Sequence, residues 1–413
     1  MKIGFTMILT SFVIIVANGQ QFGWRGPGRT GIYNEPGLMK TWPSSGPLLL
    51  WEATGIGMGY SSATVTNDAV YITGQKGDKD VLTSFNQQGK KNWEVAYGNT
   101  AVNVRAPESR STPTYYNGKI FVVSGQGEMV CVGKNGKIIW SVNYFQKYNG
   151  PIPDFGISES PLVVDNKVIG TPGGNKASMV AFNVEKGNVI WETPPLNEGT
   201  NYVNPMLIDF KGIRMIVTLT AGHIIGVNPS TGKLLWKFNY EAQNDEKRDG
   251  RVHTNTPIYR DGFLFAANGY KQVAVKIKLN TDGSEPTLVW KNPDISPHVG
   301  GMVLIGNYIY GSTHDTNSKG RWVCVDWTTG KTMWLTDWYN KGAIISLNGL
   351  LIIIEEKSGN VGLVQPNPEK FDLISSFSIT KGNGPYWAHP VIDKGRLFVR
   401  HGEYLGVYSL KAK

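Results

Sequence analysis

Few side chains in this sequence are placed by motif alone to do chemistry. Six histidines and two cysteines occur in 413 residues, and no short spacing joins them into a zinc ribbon or finger. There is no nucleophile elbow, no phosphate-cradling glycine loop and no His-Glu-x-x-His helix. What stands out is a scattered set of large side chains at equivalent places before short alternating runs: Tyr60, Arg110, Tyr202, His298, Lys341 and Trp387. Gathered at one point, they would cost desolvation and mutual repulsion unless something anionic or aromatic were bound among them. Only a fold with internal symmetry would gather them.

Composition points to such a fold. With 40% hydrophobic and 18% charged residues the chain is globular, and its 50 Gly, 13 Trp and 18 Tyr favour sheet over helix. A repeat is visible: glycine, lysine, two variable residues and tryptophan, at Gly89 to Trp93, Gly136 to Trp140, Gly232 to Trp236 and Gly330 to Trp334, with Asn188 replacing lysine in Gly187 to Trp191. A small residue in a bulky strand precedes each copy: Ser84, Cys131, Ala181, Gly226, Ala274, Cys324, Gly362 and Gly406, spaced 38 to 50 residues apart. That interval holds four short strands, so the expectation is an all-β, eight-bladed β-propeller. Asn117-Gly118, Asp261-Gly262 and Asn348-Gly349 read as hairpin turns.

The last blade runs out of chain soon after Leu405 to Leu410, whereas Pro47 to Trp51 carries the tryptophan of an outer strand with no blade of its own. The two ends are therefore expected to pair, closing the ring and removing an exposed edge. Ahead of this, Lys2, an apolar run from Ile3 to Ala17, and Ala17-Asn18-Gly19 read as a cleavable secretory signal at residues 1–19. Residues 20–46 read as an N-terminal extension and 47–413 as one propeller domain. The expected location is periplasmic or secreted, with no stable membrane anchor after cleavage and no lipid-anchor cysteine. The net charge of +9 is dispersed between acids, which argues against a nucleic-acid footprint.

In a propeller the first strand of each blade lies nearest the axis. Aligned three residues before the blade proline, the copies give a ring of Tyr60, Arg110, Ser158, Tyr202, Thr254, His298, Lys341 and Trp387. One residue before it stand Ser62, Thr112, Ser160, Asn204, Thr256, Gly300, Ala343 and His389. Alternation along a strand points both sets the same way, into an axial funnel. Its expected ligand-binding residues are Tyr60, Arg110, Glu159, Tyr202, Asn204, His253, His298, Lys341, Trp387 and His389, with Arg105, Asn201 and Arg251 nearby. The small hydroxyls of the inner ring are expected to fit the converging strands and hold water. The repeat tryptophans are read as packing between blades, Trp387 alone as a mouth residue, and Cys131 and Cys324 as buried free thiols on opposite sides of the disc.

The repeat, together with Gly31 to Trp51, Ser158-Glu159-Ser160-Pro161 and Trp387-Ala388-His389-Pro390, resembles secreted bacterial propellers with pyrroloquinoline quinone-like (PQQ-like) repeats. That superfamily holds quinoprotein alcohol dehydrogenases and the scaffold propeller of the outer-membrane β-barrel assembly machine. The resemblance implies the fold and leaves two functions open. The first is a non-catalytic binding or protein-interaction module, whose partner would be a sugar, acidic glycan, anionic metabolite or protein segment. The second is a PQQ- and calcium-dependent alcohol or sugar dehydrogenase, which needs several oxygen ligands, usually including carboxylates. Glu159 is the only acid next to the rings, with Glu108 and Asp154 on adjoining loops, and the chain lacks an adjacent cysteine pair. A histidine metal site at His253, His298 and His389 is a weaker alternative.

Overall fold

The computed structural model describes residues 21–244 and 252–412. The proposed signal segment and Arg251 lie outside the described residues. Eight four-stranded antiparallel sheets are arranged as blades in chain order, with innermost strands Thr64–Val65, Thr114–Tyr116, Leu162–Val164, Met206–Phe210, Ile258–Arg260, Val303–Ile305, Gly342–Leu347 and Val391–Asp393. The eight-bladed propeller read from the repeat is the observed fold. Alternating apolar residues build cores between neighbouring blades. Hairpin turns hold the register: Asn117 and Gly118 lie at φ 47° and 81°, and Asn348 and Gly349 at 51° and 78°. Two successive left-handed residues give the tight turn whose twist matches the flanking strands.

The tryptophans knit blade to blade. Trp93 Nε1 donates to the Lys134 carbonyl (2.8 Å), Trp140 to Val184 (3.1 Å), Trp191 to Pro229 (3.0 Å) and Trp334 to Asn367 (2.8 Å), each acceptor lying in the next blade. The rings of Trp93, Trp140 and Trp191 also lie under the repeat glycine of that blade, Gly136, Gly187 and Gly232; a Cβ on Gly136 would sit 2.9 Å from the Trp93 ring. This is why the phrase begins with glycine: the position has positive φ and no room for a side chain. Both cysteines are buried and unpaired.

Two repeat assignments are corrected: in blade eight the residue opposite Trp51 is Val407 and not Gly406. In blade five the residue opposite the tryptophan is Lys276, paired with Trp290, and not Ala274. Lys276 fills a small residue's place because its ammonium lies 4.3 Å from the Trp327 ring centroid and donates to the Trp327 carbonyl (2.7 Å). Its charge is met by an aromatic face and an oxygen.

Leu49–Ala53 pairs antiparallel with Tyr404–Ser409 as the outer strand of blade eight, so chain ends from opposite termini complete one sheet. The segment before it takes an unforeseen course. Gln21–Phe22 adds to the inner edge of blade two, and Ile32–Tyr33 adds in parallel to the inner edge of blade seven. Between them the chain crosses the axis as a plug. Arg29 donates to the carbonyls of Ser160, Pro205 and Pro161, while Arg25 donates to those of Ile344 (3.0 Å) and Met302 (2.7 Å) and contacts His389 Nδ1 (3.0 Å).

Candidate functional site

The inner ring is a ladder between blades. The Ser62 amide donates to Thr112 Oγ1 (2.9 Å), the Thr112 amide to Ser160 Oγ (3.0 Å) and the Ser160 amide to Asn204 Oδ1. Ser62 Oγ donates to the His389 carbonyl and Thr256 Oγ1 to that of Asn204. These side chains therefore satisfy backbone groups of adjacent blades, where the sequence suggested that they hold water.

Above the ladder lies an open pocket whose empty space, counted out into solvent, is about 720 Å³. Seven of the eight outer-ring residues line it: Tyr60, Arg110, Ser158, Tyr202, Thr254, His298 and Trp387; the inner ring adds Thr112, Asn204 and His389. Phe155, Val252, Tyr270 and Val299 complete the wall, and Trp24 of the plug also lines the cavity. The ring of Trp24 meets that of His389 edge-on at 5.3 Å. Trp24, which the repeat had set aside, is thus a second tryptophan of the pocket. Its only sequence signal was its position outside the repeat register.

Three residues expected in the funnel point elsewhere. Lys341 is fully buried, with its ammonium 3.1 Å from Glu356 and donating to the carbonyls of Thr316, Asn317 and Lys319. Glu159 is buried behind the wall and accepts from the amide and hydroxyl of Thr171. Burial pushes its carboxyl up to about 7, against the pull of those bonds and of Arg29. His253 is also buried, with Nδ1 against the Thr220 carbonyl and the Asn201 side chain. A charged or polar side chain beside the axis turns to the nearest strong partner, and that partner lay outside the funnel in all three cases.

One wall carries a relay of polar groups. Tyr270 Oη lies 3.0 Å from His298 Nε2, and His298 Nδ1 lies 3.0 Å from Glu356 Oε2, whose other oxygen meets Lys341. His314 stacks on His298 at 4.6 Å, and burial pushes it down to about 4, so it is neutral at pH 7. Beside it the wall is cationic and aromatic: Arg110 lies over Tyr60 (4.8 Å) and Trp387 (5.5 Å), and Trp387 meets His298 edge-on at 5.5 Å. Burial and the Arg25 charge hold His389 far below the usual histidine range, so the pocket base is neutral there.

Among the described residues the lining offers no carboxylate, and no three histidine, cysteine or acidic side chains are placed to share a metal ion. Asp154 pairs with Arg105 in solvent, and Glu108 lies against Arg110. A hard divalent cation wants several oxygens, negative ones among them, so this donor set does not fit the calcium and quinone of a dehydrogenase.

Residues 77–336 match the family described as outer membrane protein assembly factor BamB. An uncharacterized protein of Rickettsia conorii is 25% identical over 231 residues, covering 54% of this chain and 50% of that protein, so the chain spans about half the length of this curated relative. Among solved structures, BamB from Moraxella catarrhalis aligns with a TM-score of 0.63 at 13% identity, over 88% of this chain and 99% of that one. A europium-containing methanol dehydrogenase aligns at 0.64 and 14% identity, over 91% and 88%. At such identities the likeness is one of fold, and it spans an assembly factor and a dehydrogenase. The family match, which covers more than half of the sequence, places this chain in the PQQ-like repeat family of the outer membrane assembly factor BamB.

Proposed function

We propose that the protein is a non-catalytic binding module that works outside the cytoplasm and takes its ligand, or a segment of a partner protein, in the axial pocket. The observation that carries this reading is the convergence of seven symmetry-equivalent side chains around one cavity that has Trp24 of the plug in its lining. A rigid ring presenting unlike side chains from successive blades suits recognition and needs no reacting group. Membership of a family described by an assembly factor supports an interaction role. Candidate ligands are sugars, acidic glycans, anionic metabolites and extended peptides. The extracytoplasmic location rests on the apolar leader read in residues 1–19 and predicts a mature protein beginning near Gln20.

The test is a ligand-observed NMR and thermal-shift screen of the mature protein against those four classes, repeated with Tyr60→Ala and Trp387→Ala. Hits lost in both variants support the pocket; hits retained in both place binding elsewhere. The enzymatic reading is tested by adding calcium and PQQ and following dye reduction with a panel of alcohols and sugars. Turnover there would overturn the non-catalytic reading.

A further inference from the structure

Three arginines, Arg25, Arg29 and Arg400, are buried, and a fourth, the partly buried Arg110, differs from them. Arg25, Arg29 and Arg400 each donate to several backbone carbonyls; Arg400 alone reaches Gly402, Ser61, Thr73 and Gly57. Arg110 has a side chain only 10% exposed, yet its Nε and Nη2 have no hydrogen-bond partner. Its nearest countercharge, Glu108, stands 3.5 Å away and makes no hydrogen bond to it. The indole Nε1 of Trp387, the ring on which Arg110 rests, is likewise enclosed and unpartnered. Burying a guanidinium and an indole N–H without acceptors is costly, and arginine's planar fork matches a carboxylate in two places.

We propose that the axial pocket recognises a carboxylate on an apolar body, with the carboxylate seated on the Arg110 guanidinium beside Trp387 and the body lying against Trp24, Phe155 and Val299. This rests on the pocket being the binding site, as proposed above, and adds the ligand's chemistry. The direction of binding follows from the walls. Each side has a carboxylate behind it, Glu356 at His298 and Glu108 at Arg110, but His298 is hydrogen-bonded to its carboxylate whereas Arg110 keeps Nε and Nη2 without an acceptor, so an anion gains most at Arg110. A neutral sugar would supply hydroxyls and leave Glu108, at 3.5 Å and without a hydrogen bond, as the guanidinium's nearest countercharge. The carboxylate could come from a small organic acid or from the C-terminus of a peptide.

The test is isothermal titration of the mature protein with 3-phenylpropionate and its neutral isostere 3-phenylpropanamide, then with Gly-Gly-Phe bearing a free or an amidated C-terminus. The expected result is that a free acid binds about tenfold or more tightly than its amide, the difference a charge-assisted hydrogen-bonded pair supplies. Arg110→Gln should abolish that preference, bringing acid and amide to the same affinity, and Trp387→Phe, which keeps an aromatic ring and removes the N–H, should reduce it. Because the acid-to-amide ratio is read on the unaltered protein, it decides even if Arg110→Gln fails to fold. A higher affinity for Gly-Gly-Phe than for 3-phenylpropionate marks a chain terminus as the source, and the reverse order a small acid. Equal binding of acid and amide, an acid preference that survives Arg110→Gln, or no binding of any free acid overturns the proposal. If neutral ligands are still lost on Tyr60→Ala and Trp387→Ala, the pocket reading stands and only the ligand chemistry falls.

Discussion

At the scale of single residues, the charges buried at the axis divide into those that hold the ring and those that face the pocket. Arg29 holds it: three carbonyls from blades three and four converge on its guanidinium. Arg29→Ala leaves them enclosed without a donor and should cost about 2–4 kcal/mol, read as a shift in the urea midpoint. Glu159 lies close enough to feel that charge, yet burial dominates and its carboxyl sits at about 7. A carboxyl whose folded value lies above its unfolded one favours folding in acid. Its contribution is complete below about pH 4 and is lost as pH rises through about 7. Asp80, also pushed up to about 7 by burial, acts in the same window. Melting temperatures measured from pH 4 to 8 should therefore fall more steeply for the natural protein than for Glu159→Gln; parallel curves would show that Glu159 is ionised throughout. The sequence located this residue beside the axis and missed its direction. Strand alternation fixes where Tyr60, Arg110, Tyr202, His298 and Trp387 point, whereas Lys341 and Glu159 follow partners, Glu356 and Thr171, that no spacing in the sequence connects to them.

At the scale of the blade, the unit of cohesion is a tryptophan of one sheet docked under a glycine of the next. Gly187 and Gly349 separate the two costs of losing such a glycine. Both have positive φ, 69° and 78°, but a Cβ on Gly187 would lie 2.7 Å from the Trp140 ring, while nothing stands within 4 Å of one on Gly349. Gly349→Ala should cost about 1 kcal/mol, the strain of a left-handed alanine, and Gly187→Ala at least about twice that because Trp140 must also move. Equal losses in a denaturant titration would mean that the ring adjusts freely and the docking adds little. These pairs were legible because their spacing repeats, as were the Asn-Gly hairpins. Lys276 was not, since the sequence phrase requires a small residue there and only the surrounding rings of Trp290 and Trp327 explain a lysine.

At the scale of the whole molecule, residues 21–33 and Leu49–Ala53 do different work although both come from the N-terminal side. The strand Leu49–Ala53 completes a sheet, and its role could be read from a missing tryptophan strand at the other end of the chain. The plug has no repeat and no periodicity; its two arginines gain meaning only once eight strands present their carbonyls to the axis. Deleting 21–33 removes the hydrogen bonds of Arg25 and Arg29 but leaves every blade with its four strands. The shortened protein should still unfold in one transition, several degrees lower, and should lose pocket ligands because Trp24 is gone. Deleting 21–55 also strips the outer strand from blade eight and exposes the edge of Tyr404–Ser409, an open template for pairing with other chains. That protein should aggregate or unfold without cooperativity, as followed by melting and sedimentation. If both truncations melted alike, closure would depend on the plug and not on the strand. If the shorter deletion left both melting and ligand binding unchanged, the plug would be a passenger in the axial opening.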